Sequence, residues 1–183
     1  MKPLERGTGF EFIETIFGGA IPKGYISGVE KGVKAALKEG ALAGYPVTDI
    51  CVNLYDGSYH SVDSSEIAFK IASAMAFRKG VLEGNPVLIE PIMDVEVEIP
   101  DEYVGDIMGD INSRRGKILG IESEKNIKKI KASVPQAEMF NYSKDLRSIA
   151  RGRGSFYMKL SHYEEVPLHI QEKIVEESKK EKE

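Results

Sequence analysis

Tryptophan is absent from the 183 residues, and cysteine occurs once, at Cys51. A single cysteine excludes an internal disulfide framework and an all-cysteine metal site. It sits in Val47-Thr48-Asp49-Ile50-Cys51-Val52-Asn53-Leu54, which reads as a strand, so a buried, inert thiol is expected there. No apolar run reaches the roughly 18 residues that a membrane-spanning helix needs. No basic stretch followed by an apolar core opens the chain, as a secretory signal would. No G-x-x-x-x-G-K-[ST] phosphate loop occurs, so the chain is expected to bind no nucleoside triphosphate. The histidines are His60, His162 and His169, without H-E-x-x-H or related spacing, and no metal is expected. The cytoplasm is the compartment these features fit.

What is present suffices for one medium domain or two small ones: 42% of residues are apolar and 30% charged. Net charge is −4, so the whole chain is no polycation. The charges are segregated, however. Residues 93–113 carry seven acids and no base; residues 114–159 carry twelve Lys or Arg against four Asp or Glu; residues 160–183 carry seven acids against four Lys. A basic segment between acidic ones can be an RNA-facing surface or an ordinary solvated face of strands and helices.

The first half reads as strand, helix, strand, helix. Phe10 and Phe12 alternate with Glu11 in a strand over residues 8–15. A helix follows over residues 23–39, with Ile26, Val29, Val33 and Leu37 on one face and Gly40 as its cap. After the strand around Cys51 and the polar loop Asp56–Asp63, a second helix aligns Ile67, Ala68, Ile71, Ala72 and Met75. Asp63 or Ser64 is its expected N-cap, with Glu66 completing a capping box. The boundary between the halves falls near Pro86–Pro91.

The second half opens with a half-buried strand in which Val95, Val97 and Ile99 face opposite to Asp94, Glu96 and Glu98. A helix carries Val104, Ile107, Met108 and Ile111. Two strands follow, over residues 117–123 and 126–134, joined by a tight polar turn. Pro135 opens a helix through Ile149, and Phe156, Met158 and Leu160 mark a last strand. The order β-α-β-β-α-β is the ferredoxin-like split unit. A terminal helix runs from Pro167 and ends in the frayed, charged tail Ser178–Glu183.

Ser58, His60, Asp63 and Ser64 include the residue types of a nucleophilic triad, but they crowd one loop, whereas a triad needs its base oriented by a separate, buried partner. The loop reads better as a tip. Asp56, Gly57 and Ser58 turn the chain after a strand, and Tyr59 and His60 project to stack on bases or donate to phosphate and ribose; an ordinary connection is the plainer account. Arg114, Arg115 and Gly116 end one helix, and Arg147, Arg151, Gly152, Arg153 and Gly154 lie at the end of the next. Cations there complement the helix macrodipole. Two such ends in one small fold also resemble a phosphate-contact surface.

Four blocks fall in order along the chain: Gly44-Tyr45-Pro46-Val47; Asp56-Gly57-Ser58-Tyr59-His60-Ser61-Val62-Asp63-Ser64-Ser65; Glu90-Pro91-Ile92-Met93; and Met139-Phe140-Asn141-Tyr142-Ser143-Lys144-Asp145-Leu146-Arg147-Ser148. Over roughly residues 7 to 175, the chain resembles the fourth and fifth domains of bacterial elongation factor G. The resemblance implies an α+β chain of two small domains. Residues 1–89 would be a mixed α/β fourth domain and residues 90–183 a ferredoxin-like βαββαβ fifth domain with a C-terminal helix. The family's fourth domain begins with an earlier strand and a glycine-rich loop, so the first domain is expected to be N-terminally incomplete, with an open sheet edge. The segments Asp56–Ser61 and Gly152–Pro167 look closer to the elongation-factor-G-like paralogues, which leaves translocase and paralogue both open.

By this resemblance the loop of Asp56, Gly57, Ser58, Tyr59, His60, Ser61, Val62 and Asp63 is an RNA-binding tip that reaches the decoding centre beside the codon–anticodon helix. Arg114, Arg115, Arg147, Arg151 and Arg153 fall in segments near large-subunit ribosomal RNA. The implied partners are the ribosome and its tRNA–mRNA, with no membrane, and the chain is expected to be monomeric. No catalytic residue, cofactor or metal is implied within it. GTP and Mg belong to an N-terminal GTPase domain of the parent protein. The tip would occupy space that transfer RNA has left and hinder its return. Three rivals stand beside this: a stand-alone ribosome- or RNA-binding module, favoured by the basic segment; part of a ribosome-protection factor, against which a His60 tip speaks; and a small enzyme using His60 and Asp63.

Overall fold

The computed structural model of the protein describes residues 1–124 and 126–180. Two units emerge: Met1–Pro86 with the segment from His169 onward, and Val87–Leu168. In the first, β1 (Lys2–Pro3), β2 (Phe10–Glu14) and β3 (Ile50–Leu54) form a sheet in the order β1-β3-β2. β2 and β3 are parallel, Phe10 opposite Ile50 and Glu14 opposite Leu54, and α1 (Lys23–Glu39) joins them. Strand alternation sets Phe10, Ile50 and Val52 on one face. That face packs on Val33, Ala36, Phe77 and Val81 of the two helices. Cys51 is a buried free thiol. β2 has no second strand partner among the described residues, and Glu11 and Glu14 charge that edge, as natural sheets do to discourage further pairing.

α1 and α2 (Glu66–Glu83) touch through glycine. A Cβ on Gly32 would stand 2.1 Å from the Lys70 carbonyl oxygen and 2.2 Å from Ser73 Oγ; one on Gly28 would stand 2.8 Å from the Glu66 carbonyl oxygen. Across this seam Ser73 Oγ donates to the Val29 carbonyl at 3.0 Å. The side of α2 facing α1 therefore runs through Glu66, Lys70 and Ser73 to the buried Phe77 and Val81. The expected inner residues Ile67, Ile71 and Met75 are instead 70%, 55% and 64% exposed. A helix apolar on two faces does not declare its inner one by spacing; the glycines of its partner decide. The N-cap is Ser65, whose Oγ accepts the Ala68 N–H at 3.1 Å, not Asp63 or Ser64. Glu66 is the first helical residue and pairs with Lys31 at 2.6 Å rather than closing a capping box.

Asp49 fastens the start of the chain to β3. Its backbone is left-handed (φ 57°), and its Oδ1 accepts the N–H groups of Gly9 at 2.8 Å and Gly7 at 3.1 Å. The Gly9 bond is the main reason its carboxyl titrates below the ordinary value, with Gly7 and Thr48 adding to it against a smaller desolvation.

In the second unit β4 (Ile89–Pro100), α3 (Val104–Ser113), β5 (Lys117–Glu124), β6 (Ile127–Pro135), α4 (Tyr142–Ile149) and β7 (Ser155–Glu165) follow in the order β-α-β-β-α-β. The antiparallel sheet is ordered β5-β6-β4-β7, the ferredoxin-like arrangement. Its inner face, with Val97 and Ile130, packs on Ile107, Ile111 and Leu146. Each such buried aliphatic side chain contributes about 1.5–3 kcal/mol. The helix expected from Pro135 to Ile149 is two pieces, a 3-10 turn over Gln136–Met139 and then α4. The expected β5–β6 turn includes Lys125, which lies outside the described residues, as do residues 181–183 of the expected tail. α5 (Leu168–Lys180) buries no residue and from His169 groups with the first unit, where Gln171 Nε2 approaches the Pro86 carbonyl at 3.4 Å. No helix of the described residues is long and apolar enough to cross a membrane.

Asp49→Ala should lower the stability of the first unit by about 1–3 kcal/mol, because two N–H groups lose their acceptor and alanine resists a left-handed backbone. Asp49→Asn, which keeps an acceptor and tolerates that backbone, should recover most of it. The folded-state pKa is depressed, so the wild-type contribution is whole above the ordinary carboxylate value and is lost as pH falls through the lower folded value. Thermal melts from pH 7 to pH 2 should show that acid-dependent component in the wild type and not in Asp49→Asn.

Candidate nucleic-acid interface

The loop between β3 and α2 is held by its own backbone and one aromatic stack. His60 N–H donates to Ser64 Oγ at 3.0 Å, and Ser64 N–H donates to the His60 carbonyl at 3.0 Å. This double clasp closes the turn at Ser61, Val62 and Asp63, all exposed, with Val62 at 90%. Asp56 Oδ1 accepts the Gly57 N–H at 2.7 Å. Gly57 lies close to the buried Ile21: a Cβ there would stand 2.5 Å from Ile21 Cδ1, so the isoleucine side chain would have to shift. Ser58 and His60 are exposed. Tyr59 is less free than the sequence implies, because its ring lies 5.7 Å from that of Tyr25, which stacks on Phe69 at 5.1 Å. It acts as a strut under the tip.

The five arginines of the second unit separate into two groups. Arg114 is almost enclosed. Its Nε donates to Asp110 Oδ2 at 2.9 Å, one terminal nitrogen to Asp145 Oδ2 at 2.7 Å and the other to the Glu138 carbonyl at 2.7 Å. The guanidinium also lies 5.2 Å from the Tyr142 ring centroid. Arg115, in a left-handed conformation (φ 59°), forks onto Glu90 at 2.6 and 2.9 Å, with Nε on Glu138 Oε1 at 2.9 Å. Hydrogen bonds to Asp110 and to Glu90 are the largest reasons that Arg114 and Arg115 hold their protons even more firmly than usual. Both are fasteners of the fold, their charge already met by carboxylates on neighbouring elements. Arg153 lies 5.1 Å over the Tyr103 ring, donates to its hydroxyl and pairs with Glu102 at 2.5 Å, yet remains 55% exposed.

The basic stretch is largely neutralised by its neighbours. Lys117 meets Glu164 at 3.8 Å, Lys128 meets Asp101 at 3.5 Å, Lys129 meets Glu98 at 3.0 Å and Lys131 meets Glu122 at 2.6 Å. Antiparallel pairing causes this, since Glu96 and Glu98 of β4 stand opposite Lys131 and Lys129 of β6. Arg147 and Arg151, by contrast, are exposed and have no ion pair among the described residues, and the same holds for Lys144, one turn before Arg147 on α4. Arg151 follows the helix in a left-handed conformation (φ 49°). Lys144 was missed in the sequence although its three-residue spacing from Arg147 was legible. Also missed was Phe17, an aromatic ahead of Gly18-Gly19 in the β2–α1 loop, which is 93% exposed. The tip lies in the first unit and the arginines in the second.

Residues 1–85 match the family model described as elongation factor G, domain IV, and residues 87–174 match that described as elongation factor G C-terminus. The chain is 59% identical over 177 residues to elongation factor G of Aquifex pyrophilus, covering 97% of this chain and 25% of that protein. It is also similar to a crystal structure from Thermus thermophilus, with 43% identity and a TM-score of 0.80, over 98% of this chain and 27% of the other. The chain thus spans about a quarter of the length of these relatives.

Arg115→Ala strands the mostly buried Glu90 and should cost about 2–3 kcal/mol of second-unit stability. Arg147→Ala should stay within about 0.5 kcal/mol of wild type. Urea unfolding of the two variants side by side checks the contrast; equal stabilities would remove the distinction between fasteners and free cations.

Proposed function

The chain belongs to the elongation factor G family, comprising its domain IV and its C-terminal domain, and on that premise we propose that it is the ribosome-engaging arm of a factor that moves tRNA and mRNA. The exposed tip around His60 enters the decoding centre and blocks the return of displaced transfer RNA. The second unit rests on ribosomal RNA through Lys144, Arg147 and Arg151, with Arg153 half-engaged by Glu102. Arg114 and Arg115 hold that surface in shape. GTP hydrolysis, with its Mg, belongs to a domain outside these 183 residues, and the chain itself takes no cofactor. It works as a monomer in the cytoplasm.

The observation that carries the reading is the matching of both units, in order, to the two family domains. The free cations on and just after α4 support it physically. Phosphates attract unpaired Lys and Arg and release counterions on contact, a gain that cations already paired within the fold offer less readily.

Sedimentation of the chain with bacterial ribosomes at several salt concentrations tests this. The wild-type chain should co-sediment. Lys144→Gln/Arg147→Gln/Arg151→Gln should bind less tightly and flatten the dependence of log affinity on log salt by about 2–3. Failure of the wild-type chain to co-sediment at low salt would contradict the proposal, and GTP turnover by the pure chain would contradict its division of labour.

A further inference from the structure

We propose that Phe17 is a base-stacking residue, which makes the β2–α1 loop a second element of the RNA-contacting tip; this rests on the ribosome-engaging reading above. Two fastenings set the loop beside the His60 loop. At its start, Thr15 N–H donates to the Leu54 carbonyl at 2.9 Å and Thr15 Oγ1 bonds Asn53 Oδ1 at 3.0 Å. At its end, Ile21 seats against Gly57, and the Tyr25 ring supports Tyr59. Both loops leave the carboxyl ends of the parallel strands β2 and β3. Between the fastenings Phe17 stands 93% exposed, ahead of the two left-handed glycines Gly18 and Gly19 (φ 68° and 72°).

The charges identify the RNA group this ring fits. Residues 15–22 carry none, and residues 55–65 carry only Asp56 and Asp63. Such a tip repels phosphate, whereas the face of an unstacked base stacks on an aromatic ring whatever the local charge. One ring on an uncharged loop is also far smaller than a stable protein interface, which needs about 20–30 residues a side.

The absence of tryptophan supplies the test, because Phe17→Trp introduces the chain's only tryptophan at the position in question, which excitation near the red edge of indole absorption selects over the eight tyrosines. Its emission should be quenched on binding bacterial ribosomes that carry mRNA and tRNA. Phe17→Ala should weaken binding about fivefold to a hundredfold, the range of one base stack, without changing the salt slope. Co-sedimentation with unchanged emission overturns the role of Phe17 and leaves the wider reading standing. A blue shift with brighter emission means a protein contact and also overturns it. Failure of the wild-type chain to co-sediment overturns both.

Discussion

The two consecutive arginines that end α3 are the interaction on which the second unit depends. Arg114 is the C-cap of the helix and Arg115 is left-handed, so their side chains diverge. Arg114 ties α3 to α4 through Asp110, Asp145 and the Tyr142 ring. Arg115 ties the start of β4 to the turn after β6 through Glu90 and Glu138. A left-handed arginine costs about 1–2 kcal/mol of backbone strain, which the bidentate Glu90 pair and the Glu138 bond offset. The next residue, Gly116, has room for no side chain, since a Cβ would lie 2.6 Å from Ile111 Cγ2. One tripeptide thus joins helix, sheet and turn.

That arrangement changes the meaning of the charge segregation. The acidic segment 93–113 and the basic segment after it are partners. The sheet sets them side by side, and the fold consumes most of the positive charge. What remains free on and just after α4 is small and local: Lys144, Arg147 and Arg151. Under the proposed function, these unpaired cations are the ones that meet ribosomal RNA. The tip of the first unit works on the opposite principle. It has almost no charge, a backbone clasp between His60 and Ser64, and exposed side chains, so under the proposed function phosphate attraction and base contact would fall to different units.

Much of the fold was legible because its strands alternate cleanly. Val95, Val97 and Ile99 against Glu96 and Glu98, and Ile130 and Ala132 against Lys129 and Lys131, point to one half-buried sheet from spacing alone. α2 was harder, since Ile67, Ile71 and Met75 form as regular a stripe as its true inner side, and only the glycines of α1 tell them apart. The division of the arginines was not legible at all. Arg114 and Arg147 sit at similar helix ends, and the difference lies in Asp145 and Glu138, 31 and 24 residues away from Arg114, brought close only by the sheet. Tyr59 was misjudged for the same reason, its support Tyr25 lying on α1, 34 residues earlier in the chain.

The most direct measurement of this account is side-chain NMR of the arginine Nε–Hε groups, with and without fragments of large-subunit ribosomal RNA. The account predicts that Arg147 and Arg151 shift on RNA addition while Arg114 and Arg115, already held by carboxylates, keep their free-state positions. Shifts at Arg114 and Arg115, with Arg147 and Arg151 unmoved, would contradict it.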